Sequence, residues 1–351
     1  MNVLLRVAAL LSTGLCALVV GACGGDSSDD AKAAGGESRT HVAVAAAAPS
    51  PTHVGFWLAK VNGYFEDEGL DVEVISTQGA AAVVQAFQAG KIQLGLLSPS
   101  TAMQTFKRGK ALQVIAGLSD AAFDQPLVST EFLRERGIDP AAFAGLPLDQ
   151  RLAALRGSRW TVSGSGNLLD TKIRLIAKNA NLNPDRDFKI QVVGETSVAD
   201  SELLKQGKSD AAFFDLPEAA DFKERGVAVP LLNEGDLPVI QKALLTQVVI
   251  DAEWAEEHQQ AARGIAAAVA RANREFDTED VKTVATALHK EFSELPVDEI
   301  VRQLEAIRPI VPADSRIPKA IIESNIELAL AQGAIKERPT ADDVYTERYL
   351  P

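Results

Sequence analysis

The body of this 351-residue chain can be laid upon itself. Residues 71–115 fall without a gap on residues 188–232, with Asp71 over Phe188 and Ile115 over Leu232. The stretch AFQAGKIQLGLLSPSTA then faces LLKQGKSDAAFFDLPEA. Gly90-Lys91 meets Gly207-Lys208, Arg108-Gly109 meets Arg225-Gly226, and Ala102 meets Ala219. Few residues are identical, but apolar runs of strand length and segments of helical period keep their order and spacing. In the first copy, strands are expected at residues 41–48, 72–75, 92–97 and 112–118, and helices at 53–65, 79–89 and 101–107. In the second, strands are expected at 160–163, 188–193, 211–214 and 227–232, and helices at 168–179, 198–205 and 217–225. Such alternation implies βαβ units and a mostly parallel sheet in each half. Gly90 and Gly207 stand where a helix should stop, since glycine takes the left-handed terminal position without steric cost.

A strand at 244–250 is expected to return the chain to the first half. Helices are then expected at 251–276, 278–292, 297–307 and 318–332. Asp251 serves as an N-cap, and Glu279 and Asp280 sit in a first turn, where the helix dipole favours acids.

The length is too great for one compact core and agrees with two α/β lobes. Hydrophobic residues at 46% and charged residues at 24% describe a globular chain. The net charge of −13 repels phosphate backbones and argues against a nucleic-acid partner. The two cysteines, Cys16 and Cys23, both precede the body. The body therefore has no disulfide, thiolate metal site or cysteine nucleophile. Neither HExxH nor GxSxG occurs, and the four histidines (His41, His53, His258 and His289) show no paired metal-ligand spacing. The cluster Glu66-Asp67-Glu68 reads as a solvated helix end.

Residues 1–22 have the layout of an export signal: one positive charge at Arg6, an apolar run over 7–20, then Gly21 and Ala22. The run is shorter than the ~20 residues a membrane-spanning helix needs. Val20-Gly21-Ala22-Cys23 resembles the lipobox of bacterial lipoprotein precursors. That resemblance implies cleavage before Cys23 and lipidation of that cysteine. Residues 24–39, GGDSSDDAKAAGGESR, contain no apolar side chain larger than alanine and are expected to form a flexible tether.

Residues 53–118 contain GYFEDEGLDVE, Gly79 at a helix start, QAGKIQLG and RGKALQVIAGL. The second half contains LRGSRWTVSGSGN and LLKQGKSDAAFF, and the chain closes on DDVYTERYL. In this order the motifs resemble the nitrate, alkanesulfonate, taurine and thiamine-precursor binding proteins of ABC importers, from about residue 40 onward. The resemblance implies a two-lobed type II periplasmic-binding-protein fold with two strands crossing between the lobes, near residues 119–126 and 238–245. It implies a first lobe of residues 40–119 plus 245–351 and a second of 120–244. It also implies a monomer that binds a small organic solute, without cofactor or metal, for delivery to a permease and its ATPase.

Ligands of open α/β sheets sit beyond the carboxyl ends of the strands, where helix N-termini present free N–H groups. The loops there nominate Thr52, His53, Trp57, Gln78, Gly79, Ala80, Ser98, Ser100 and Thr101 in the first half. In the second they nominate Ser163, Gly164, Ser165, Asn167, Glu195, Thr196 and Asp215. Turn formation alone would also select many of these residues. Residues 163–167, SGSGN, form a possible anion cradle but lack the spacing of a phosphate loop. Trp57 and Trp160 have two readings, a stacking platform or a packed core residue. His53 is a ligand contact or an exposed helix-start residue. Glu195 and Asp215 occupy loops where the resembled family more often has small neutral residues. Facing the cleft, they would repel an anion and suit a ligand with N–H or O–H donors or positive charge.

Three classes of function remain: importer subunit, ligand-sensing lipoprotein docked on a receptor, and enzyme on the same fold. The enzymes of thiamine-pyrimidine synthesis resembled here imply a cysteine-rich motif, which the body lacks. Related lyases and dehydratases are cytosolic, against the export signal.

Overall fold

In a computed structural model, residues 39–351 are described, apart from 47, 48, 78, 110, 163, 164, 166, 167 and 194–196. The expected export signal, Cys23 and nearly all of the tether lie outside these residues. Among the described residues, ten strands form two five-stranded sheets. The first comprises β1 (Thr40–Ala46), β2 (Leu70–Ser76), β3 (Leu94–Leu97), β4 (Leu112–Ala116) and the returning strand β10 (Gln247–Asp251), in the order β2-β1-β3-β10-β4. The second comprises β5 (Asp124–Ser129), β6 (Arg159–Val162), β7 (Lys189–Val192), β8 (Ala211–Asp215) and β9 (Ala228–Pro230), in the order β7-β6-β8-β5-β9.

The two orders match position by position under the sequence overlay. β2, β3 and β4 correspond to β7, β8 and β9, and β10 occupies the place of β5. The flanking helices follow the same rule. Helices α1 (Val54–Val61), α2 (Ala80–Gln88) and α3 (Pro99–Ala102) serve the first sheet. Helices α4 (Leu168–Asn179), α5 (Ser197–Lys205) and α6 (Leu216–Glu224) serve the second. Gly90 and Gly207 end α2 and α5 with φ of 64° and 63°, so the repeated glycine has one backbone cause.

Each sheet is mixed, a refinement of the mostly parallel expectation. β10 runs antiparallel to β3 and β4, and β5 runs antiparallel to β8 and β9. Alternate residues feed opposite faces, as a strand's period of two requires. Val42 and Val44 of β1 enter one core and Ala43 and Ala45 the other. In the second sheet Ala211 and Phe213 face one core and Ala212 and Phe214 the other.

Several expected elements are shorter, each for a local reason. The stretch 53–65 breaks after α1 because Gly63 takes φ of 74°. The stretch 101–107 is largely a 3-10 turn, Met103–Arg108. The long segment after Asp251 divides at His258 into Ala252–Glu257 and α7 (Gln259–Thr278), and α8 (Val297–Ile307) follows. The returning strand starts at Gln247 rather than 244 because the preceding backbone is engaged by buried Asn325. Its Oδ1 accepts from Leu244 N at 3.0 Å and its Nδ2 donates to Lys242 O at 2.9 Å.

The chain crosses from the first sheet to the second through residues 117–123 and returns through 242–246. The crossings are tied together. Leu118 N donates to Gln247 Oε1 at 2.8 Å, Gln247 Nε2 donates to Ser119 Oγ at 3.0 Å, and Ala122 N donates to Gln241 O at 3.1 Å. The first crossing is also anchored by Asn273 of α7. Its buried Nδ2 donates to Gly117 O, Pro312 O and Ser315 Oγ at 2.9, 3.1 and 2.9 Å.

Gly55 permits this anchor, because a methyl group there would stand 2.0 Å from Asn273 Oδ1. Gly55→Ala is therefore expected to destabilise the fold by roughly 1–3 kcal/mol, the usual cost of overpacking. Urea unfolding checks this. An unchanged midpoint would show that Asn273 is not held against Gly55.

Candidate functional site

A cavity of about 240 Å³ opens where the two crossings meet the strand ends of both sheets. Its volume is just below the roughly 300–1,000 Å³ typical of small-molecule sites. Ser50, Thr52, His53 and Leu96 come from the first sheet's loops and strand β3, and Asp215 from the end of β8. Leu118, Ser119, Phe123, Leu245 and Thr246 come from the crossings, and Ile307, Ile310 and Val311 from the end of α8 and beyond. An outer vestibule of about 760 Å³ shares Ser50, Thr52, Phe123 and Asp215 and is bounded by α6 and α8.

Of the residues nominated from sequence, Thr52, His53 and Asp215 line the inner cavity. Thr52 is held by Ser50, whose Oγ lies 2.8 Å from Thr52 Oγ1. Ser98, Ser100 and Thr101 form the first turn of α3. There Ser98 Oγ accepts from Thr101 N at 3.1 Å and donates to Thr101 Oγ1 at 2.8 Å. Gly79 and Ala80 open α2, with Gly79 at φ of 82°. Ser165 lines a separate cavity of about 180 Å³ with Asp170, Arg174 and Val192. Gln78, Ser163, Gly164, Asn167, Glu195 and Thr196 lie outside the described residues.

The two candidate tryptophans, Trp57 and Trp160, are packed in cores. Trp57 is not on the cavity wall as a stacking platform. It meets Phe56 and Phe292 edge-on, with ring centroids 5.3 Å away in each case. Trp160 stacks on Phe188 and donates Nε1 to Ser158 Oγ at 2.8 Å. A wide ring facing a core gains more from burial than from waiting on a ligand.

Sequence reasoning missed the crossing residues Ser119, Phe123, Leu245 and Thr246 as wall elements. The resemblance had placed crossings on or beside them, and in a two-lobed protein such segments floor the cleft. Ile307, Ile310 and Val311 carried no such signal, because they reach the cavity from a helix far along the chain.

The electrostatics are one-sided. The described lining of the inner cavity contains no lysine or arginine. Asp215 lies directly opposite Asp124 across β8 and β5. Beneath them the fully buried Lys172 donates from Nζ to both Asp124 oxygens at 2.6 and 2.8 Å and stands 5.3 Å from the Phe213 ring. Lys172 offsets Asp124 and leaves one carboxylate in excess. Asp215 is exposed to the cleft at the end of β8, with protein crowded around it. Desolvation by that crowding, then the charges of Asp124 and Glu218, push its pKa up to about 7 against the pull of Lys172. His53 moves the other way, since burial lowers it to about 4 and keeps it neutral at working pH. Its Nδ1 is buried without a hydrogen-bond partner. An anion brought within about 4 Å of ionised Asp215 would meet a repulsion of roughly 4 kcal/mol at an effective dielectric of 20. Among the described residues, no group of acids, histidines or cysteines is arranged to hold a metal, and no helix is long and apolar enough to cross a membrane.

A model of the family described as NMT1/THI5 like matches residues 50–276, which take in every described strand but β1. The chain belongs to the NMT1/THI5-like family. Among solved structures, this NMT1/THI5-like chain is similar to the periplasmic nitrate-binding protein NrtA from Synechocystis PCC 6803. The TM-score is 0.63 at 16% identity, covering 89% of this chain and 87% of that one. It is also similar to the periplasmic aliphatic sulphonate binding protein SsuA from Escherichia coli, with TM-score 0.63, 15% identity and coverage of 87% and 92%. At such identities the likeness establishes the fold. Among curated proteins it resembles 4-amino-5-hydroxymethyl-2-methylpyrimidine phosphate synthase THI11 of Saccharomyces cerevisiae, 28% identical over 90 residues. The alignment spans about a quarter of each chain, 26% of this one and 25% of the synthase.

Asp215 provides a direct check on the electrostatics. An acid with a raised folded pKa holds a proton that the unfolded chain has already lost, so stability falls as pH rises between the two values. For Asp215 that window runs from the usual carboxylate range to about 7. Asp215→Asn should therefore melt above the wild type near pH ~8, with the gap closing near pH ~4. A variant melting no higher at the alkaline end would show that the carboxylate is well solvated.

Proposed function

We propose that this chain is the extracytoplasmic solute-binding subunit of an ABC importer, held to the membrane by lipid on Cys23. Residues 40–119 and 245–351 act as one lobe and 120–244 as the other. They close on a small organic solute and present it to a permease. The observation that carries this reading is the cavity at the meeting of two pseudo-equivalent sheets that the chain links through two short crossings. Such a joint lets two rigid bodies swing about a few residues, and walls from both bodies make closure and binding one event. The fold-level likeness to nitrate- and sulphonate-binding proteins supports the same reading. The yeast synthases favour an enzyme over a quarter of the chain. The sequence, however, has no cysteine after Cys23, whereas the resemblance to that branch calls for a cysteine-rich motif.

Membrane fractionation combined with cross-linking tests the proposal. The wild type should sediment with membranes and cross-link to an integral permease and its ATPase, while Cys23→Ala should appear in the soluble fraction. Cross-linking to a receptor kinase alone would replace transport with sensing. Unchanged membrane association of Cys23→Ala would remove the lipid anchor.

A further inference from the structure

The cap of α6 is chemically odd. In the overlay of the two halves Asp215 takes the place of Ser98, and both stand at the N-cap of the helix that follows the third strand of the repeat. Ser98 spends its side chain on that cap, accepting from Thr101 N. Asp139, Asp251 and Asp280, at the same position of other helices, also accept a backbone N–H. Asp215 does not cap its helix. It lines the inner cavity instead, whose other described lining residues are apolar or neutral.

We propose, resting on the solute-binding reading above, that the cleft captures a small organic cation: an amine or amidinium on a mainly apolar body, its charged group held by Asp215. Leu96, Leu118, Phe123, Leu245 and Ile307 offer the apolar cage. Ser50, Thr52 and neutral His53 offer acceptors for the remaining N–H groups.

The charges facing Asp215 leave this role to the ligand. From β5 comes Asp124, already neutralised by Lys172 of α4. From its own helix come Glu218, which adds repulsion, and Asp221 and Glu224, which border the vestibule. The α1 side contributes only uncharged His53. Across the vestibule α8 contributes Glu299, Arg302 and Glu305, and Arg225 follows α6. Both arginines have acidic partners, Glu299 for Arg302 and Asp221 for Arg225. A bound cation favours the ionised carboxylate, so capture releases the proton that Asp215 holds in the empty cleft. Affinity should then rise with pH, by roughly tenfold between pH ~6 and ~8 for a carboxyl titrating near 7.

Matched thermal shifts test this. The probes are benzylamine, benzamidine and butylamine against benzenesulfonate and butanesulfonate at millimolar concentration. Amines should raise the melting point by a few degrees near pH ~8 and by less near pH ~6, by mass action on the folded state. Asp215→Asn should abolish the response while melting cooperatively by itself, and Asp215→Glu should restore part of it. An undiminished amine response in Asp215→Asn would overturn the assignment. If sulfonates raise the melting point and amines do not, the cation is wrong and the solute-binding reading stands. If neither series acts, the cation falls, while the solute-binding reading still rests on the cavity and its crossings and is decided by the cross-linking test.

Discussion

In the order β2-β1-β3-β10-β4, β10 is the only strand joining β3 to β4. It arrives after the chain has passed through the entire second sheet. The first sheet is therefore incomplete until residues 247–251 return, and its facing polar backbone would stay unpaired without them. Two crossings follow as a topological necessity. The cleft follows as well, since the crossings lie beside the strand ends where loops from both sheets converge. This is also a long-range closure, which makes late completion of the first sheet the expected folding order.

Much of this architecture was legible because a repeat preserves spacing. The third strands of the two halves and the helices α2 and α5 stand in register without a gap, and the repeated glycines share one backbone conformation. The antiparallel strands were not legible as such. Strand direction depends on which neighbour the returning chain finds, and a short apolar run such as residues 247–251 carries no mark of it. The helix break at His258 was likewise hidden, since propensity continues through it, whereas the break at Gly63 carried a signal in the turn-forming pair Asn62-Gly63 that the apolar period around it masked.

The site was read less completely, for a physical reason. Loop residues rich in Ser, Thr and Gly can face a cleft or simply build turns. Ser98, Ser100 and Thr101 spend their hydroxyls on one another and on a helix start. Asp215 stood out because an acid departed from the small neutral residues of the resembled family, and the fold leaves that acid unspent. It sits near Asp124 and Glu218, with Lys172 committed to Asp124. Such an arrangement costs stability in the empty protein, and strain of this kind persists where a ligand relieves it. His53 adds to the tension, because its unpartnered nitrogen is buried at the same wall.

If two rigid halves swing about residues 117–123 and 242–246 to enclose a solute, the separation across the vestibule must change. Cysteines at Glu224 and Glu305, exposed on opposite sides of the vestibule, can carry spin labels in a body that has no cysteine of its own. Pulsed dipolar spectroscopy would then read the distance between α6 and α8 without and with a solute that raises the melting point. Closure predicts a shift to a shorter, narrower distribution as that solute saturates. A distribution unchanged at saturation would contradict it.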